Sequence, residues 1–79
     1  GTQFDSARKI NFRNANLEEA NFWNASECNF DGANLRKARG TLFACSMNGA
    51  DLTESVTESS LCSMEGARAK DANFGTIFQ

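Results

Sequence analysis

The sequence predicts an all-β solenoid of about four stacked coils in a single domain, residues 1–79, and three observations lead there. Segments that start at Cys28, Cys45 and Cys62 stand 17 residues apart, with Cys, Gly and Ala returning in register. Within them runs a finer period of five, in which a small and a large apolar residue lie two positions apart, the spacing that places both on one side of an extended strand. Gly32, Gly49 and Gly66 recur at the end of the first five-residue block, where the earlier unit has Asn14. Gly and Asn tolerate φ > 0, so this column marks a corner.

Residues 2–9, TQFDSARK, match the second half of the next unit and form a partial coil. Residues 10–27 read INFRN-ANLEE-ANFWN-ASE, one residue longer than the two 17-residue units that follow. Residues 28–44 open CNFDG-ANLRK, residues 45–61 open CSMNG-ADLTE, and residues 62–79 open CSMEG and reach ANFGT near the end. Stacking the units yields inward columns: Ile10, Cys28, Cys45 and Cys62; Phe12, Phe30, Met47 and Met64; Ala15, Ala33, Ala50 and Ala67; Leu17, Leu35 and Leu52, ending at Ala69. Phe22 and Phe74 occupy the inward position of the third block. At the ~4.8 Å spacing of paired strands, each backbone amide finds a partner in the coil above or below. A unit of 17 residues is short of four full blocks, and the shortfall falls at residues 38–41 and 57–60, where a tightened corner is expected.

The consensus A(N/D)(L/F)xx, repeated along residues 2–77, resembles the pentapeptide-repeat family. The resemblance implies a right-handed quadrilateral parallel β-helix, with one block per side of a square coil. It also implies a role in presenting a surface.

Composition narrows the chemistry. A chain of 79 residues buries only about 60% of its unfolded surface, so the ladders must supply what a bulk core does not. Eight Lys+Arg against ten Asp+Glu give a net charge of −2, which attracts neither nucleic acid nor an anionic membrane. No apolar run approaches the ~20 residues of a membrane span. His and Tyr are absent, which removes the commonest general base and metal ligand. The start, Gly1-Thr2-Gln3-Phe4, shows no basic or apolar targeting segment. Cys28, Cys45 and Cys62 recur at the coil period and form no Cys-x-x-Cys pair, so they read as buried free thiols, favouring a reducing compartment. No catalytic, cofactor or metal residues are expected.

Glu18-Glu19, Arg36-Lys37, Thr53-Glu54 and Lys70-Asp71 stack with alternating sign, an arrangement that stabilises its own face. Trp23 follows the inward Phe22 and points to solvent, where it serves either as an interface anchor or as a cover over neighbouring Asn side chains. Ile77 and Phe78 are apolar and suggest a cap, an end-to-end dimer contact or further chain. The expected function is a non-catalytic module that binds another protein through a rigid surface. The alternative is a DNA mimic that regulates an enzyme such as gyrase, which the mixed charge opposes.

Overall fold

Each repeat step becomes one step of parallel pairing. The computed structural model describes residues 2–75, and the five strands among them are β1 (Gln3–Phe4), β2 (Ala7–Arg8), β3 (Asn21–Ser26), β4 (Arg39–Phe43) and β5 (Val56–Ser60). They form one parallel sheet in the order β1-β3-β4-β5, with β2 also paired to β3. The other sides of the coil are held by single bridges such as Asn11↔Asn29, Asn29↔Ser46 and Ser46↔Ser63, and Asn16↔Asn34, Asn34↔Asp51 and Asp51↔Arg68. Along each bridge column the amides bond up and down, as in Phe12 N–H to Asn29 O (2.7 Å) and Asn29 N–H to Ile10 O (3.0 Å). The fold is an all-β parallel solenoid with no helix among the described residues.

Corners follow from backbone chemistry. Asn14, Gly32, Gly49 and Gly66 have φ of 59°, 68°, 70° and 70°, so the corner read from the Gly column is present. Each occupies the third place of a four-residue turn closed by a bond such as Ala33 N–H to Phe30 O (2.9 Å), where φ > 0 is required. Two further columns turn the same way with residues that pay a steric cost for it: Glu19, Lys37, Glu54 and Asp71 at 58–62°, and Lys9, Glu27, Ala44 and Leu61 at 53–55°. Where a tightened corner was expected, the strands β4 and β5 instead run straight through residues 39–43 and 56–60.

The extra residue of the 10–27 unit has a definite place. The β3–β4 register slips between Phe22 and Ala25, because Phe22 pairs with Gly40 and Ala25 with Leu42. Trp23 and Asn24 thus stand opposite Thr41 alone, a β-bulge.

Inside, Phe4 stacks on Phe22 (centroids 4.8 Å apart, planes at 6°) and Phe12 on Phe30 (5.1 Å, 5°), with edge contacts between the two stacks. Phe22, Phe30, Leu17, Leu35, Leu52, Met47, Cys28, Cys45, Ala33 and Ala50 are buried. Phe12, Ala15, Cys62, Met64, Ala67 and Phe74 are half-buried against this core, and Ala69 is exposed. Ile10 departs from the expectation of an interior position. It is 44% exposed, because it stands in the lowest position of the Cys column, with Cys28 on one side and no described coil on the other. The inner face of β5 and the residue before it are polar: Ser55, Thr57 and Ser59 are all buried, Thr57 Oγ1 and Ser59 Oγ lie 3.2 Å apart, and Ser55 Oγ has no hydrogen-bond partner among the described residues.

The alternating charges do not form the expected ladder. Among the described residues the ion pairs are Arg36–Asp51 (3.8 Å) and Arg8–Glu27 (3.5 Å), so Arg36 turns to the second-side carboxylate of the next coil and not to Glu18. Arg8–Glu27 is largely solvent-exposed and Arg36–Asp51 partly so, and neither contributes much to stability.

Candidate binding face on the third side

The third side carries a groove of about 670 Å³ whose lining comes from successive coils. Its walls include Trp23 and Asn24 from the bulge, Thr41 from β4, and Val56 and Glu58 from β5. The bulge pushes Trp23 outward, leaving it 75% exposed, while Phe22 before it is buried. Val56, 47% exposed, adds apolar surface.

Gly40 forms part of the lining and explains its depth. It takes the place in β4 that Phe22 holds in β3, with φ of 138°. A Cβ there would lie 1.8 Å from the Phe22 carbonyl oxygen, so only glycine lets the two coils approach at this point. The side chain of Thr41 is small, and Gly75 continues the lining without a side chain.

The carboxylates that are held most firmly lie elsewhere and serve the backbone. Asp31 accepts from Ser46 Oγ (2.5 Å) and Asn48 N–H (2.9 Å), and these bonds hold its carboxyl below the ordinary value of 3.8. Asp51 accepts from Thr53 Oγ1 (2.5 Å) and Thr53 N–H (3.0 Å) and is lowered for the same reason, with Arg36 and Arg68 adding to the effect. Neither is an acid poised to donate a proton. One coil above Asp31, Asn48 Oδ1 repeats its role by accepting from Ser63 Oγ and Glu65 N–H. The second-position Asn and Asp residues also brace the corners: Asn11, Asn29, Asn34 and Asp51 each accept the amide two residues on.

The cysteines are free thiols. Each donates to carbonyls, as Cys28 Sγ does to Ala7 O (3.5 Å) and Cys45 Sγ to Phe43 O (3.4 Å). The hydrogen bond with Cys62, and then burial, push the Cys45 thiol up and keep it protonated. Among the described residues no three His, Cys, Asp or Glu side chains come together to hold a metal ion. Ile77 and Phe78 lie outside the described residues.

A family model for pentapeptide repeats matches residues 8–39 with eight copies of the repeat, over the same blocks whose corners and columns are described above. The fold is the pentapeptide-repeat fold. The pentapeptide-repeat fold is also that of a solved structure, HetL, a pentapeptide repeat protein involved in heterocyst differentiation regulation from the cyanobacterium Nostoc sp. strain PCC 7120. The two share 21% sequence identity at a TM-score of 0.60, over 91% of this chain and 39% of that one. This chain therefore spans well under half the length of HetL. Among curated proteins, none matches the chain.

Trp23 was legible in the sequence as an outward aromatic, but Thr41, Val56 and Glu58 were not, since nothing in the five-residue period separates the third side from the others. The available signals were the extra residue in the 10–27 unit and the loss of the aromatic at Gly40 and Thr57 in a column that also holds Phe4, Phe22 and Phe74.

Proposed function

We propose that this pentapeptide-repeat solenoid is a non-catalytic binding module that presents its third side to another protein. The observation that carries the reading is Trp23, a large aromatic side chain held 75% exposed on a bulge at the edge of a groove. Exposing so much apolar surface is unfavourable in isolation, and Trp is enriched among the residues that dominate binding energies. The scaffold beneath it is rigid, because the groove is laid across parallel strands and a stacked aromatic core, so little conformational freedom is lost on binding. HetL, of the same fold, is involved in regulation of differentiation, and a regulatory contact is the kind of role we extend to this chain.

The test is affinity capture from the native source with the wild-type chain and with Trp23→Ala. The reading expects a partner protein that the wild type retains and the variant loses. Identical retained proteins would remove Trp23 as the anchor and with it the third side as the binding face.

A further inference from the structure

We infer that the third-side groove takes the guanidinium of an arginine side chain presented by the partner; this rests on the binding reading above. Among the described residues, Glu58 is the one charged side chain that lines the groove. It is exposed, and among the described residues no cation pairs with it. Arg39, one coil away beside Val56, does not line the groove and leaves the Glu58 charge open. Trp23 supplies the second element, an exposed indole face that attracts cations.

The register relates the two. Glu58 pairs with Thr41, and Thr41 faces the bulge that bears Trp23. Indole and carboxylate therefore rise two coil steps apart, about 10 Å between backbones at strand spacing. Between them lie only Thr41 and Gly40, which leaves room for a planar group. Asn21 and Asn24 also line the groove, and their side-chain oxygens accept no hydrogen bond among the described residues. An aromatic face, a fork-accepting carboxylate and neutral amide oxygens together match a guanidinium, which stacks flat and donates in a plane. A carboxylate ligand would meet Glu58 with like charge.

Trp23 is the single Trp and Tyr is absent, so indole emission reports on the groove alone. The experiment titrates the protein with a hexa-arginine peptide and, separately, with hexaglycine. A saturable emission change is expected with hexa-arginine and none with hexaglycine. Glu58→Gln should weaken hexa-arginine binding about tenfold. Glu65→Gln removes the same charge from the first side and should change it less than about twofold. No saturable change, or equal weakening by both variants, overturns the inference. If hexa-arginine fails while Trp23-dependent capture of a protein succeeds, the arginine inference falls and the binding module stands; if both fail, both fall.

Discussion

Replacing Ser55 with Ala should stabilise the protein. Ser55 is fully buried, and among the described residues its hydroxyl is without a partner. Its column neighbours Ala20 and Ala38 are each 1% exposed, so the site already accommodates a methyl in the adjoining coils. A buried hydroxyl with no hydrogen bond costs about 1–3 kcal/mol, and deleting it opens no cavity larger than one oxygen atom. For a domain of this size each kcal/mol moves Tm by roughly 4–8 °C, which predicts a rise of roughly 5–20 °C. Ser59→Ala, on the same inner face of β5, removes the partner of Thr57 Oγ1 and should lower Tm by a similar amount. Thermal unfolding followed by circular dichroism reads both. Two changes of the same chemistry four residues apart with opposite signs are the signature. A Tm for Ser55→Ala equal to or below that of the wild type would refute the reasoning.

Three further outcomes follow from the corners and the coil contacts. Gly40→Ala places a Cβ 1.8 Å from the Phe22 carbonyl oxygen and should cost about 3 kcal/mol or more through a forced backbone shift; an unchanged denaturation midpoint in urea would contradict it. Leu61→Asn relieves a non-glycine corner at φ 53° and removes a 59% exposed apolar side chain, so the urea midpoint should rise by the equivalent of about 0.5–1 kcal/mol. The carboxyl of Asp31 is lowered in the folded state, so its contribution is present above its ordinary value of 3.8 and is lost as pH falls through the lowered one. Asp31→Asn keeps both acceptor bonds, as Asn48 does one coil up, and should flatten the fall in Tm between pH 5 and pH 2 while leaving Tm at pH 7 nearly unchanged.

The columns were legible because a solenoid interior has one rule: the same position in each coil meets its own kind above and below. Phe12, Phe30, Met47 and Met64 could be stacked from spacing alone. The corner column could be read where Gly stands, at Gly32, Gly49 and Gly66, and not where Glu19, Lys37 and Glu54 adopt the same φ, since those residues carry no conformational signal. Ile10 misled because it stands at the open end of its column, where a place in the column does not by itself fix burial: Ile10 is exposed, while Leu17 at the end of its own column is buried. The charge pattern misled because a side chain as long as Arg36 chooses among several carboxylates, and the turn geometry brought Asp51 within reach. Of the candidate face, the aromatic was visible in the sequence, and the groove beside it depends on a register slip and a close backbone approach that appear only once the coils are stacked.

The most direct test of the third side as the binding face is photo-cross-linking in the native cell, with a photoreactive residue placed at Thr41 in the groove or at Glu18 on the second side. Both positions are exposed. The account predicts a discrete adduct with a partner protein from Thr41 and none from Glu18. An adduct from Glu18 with none from Thr41 would contradict it.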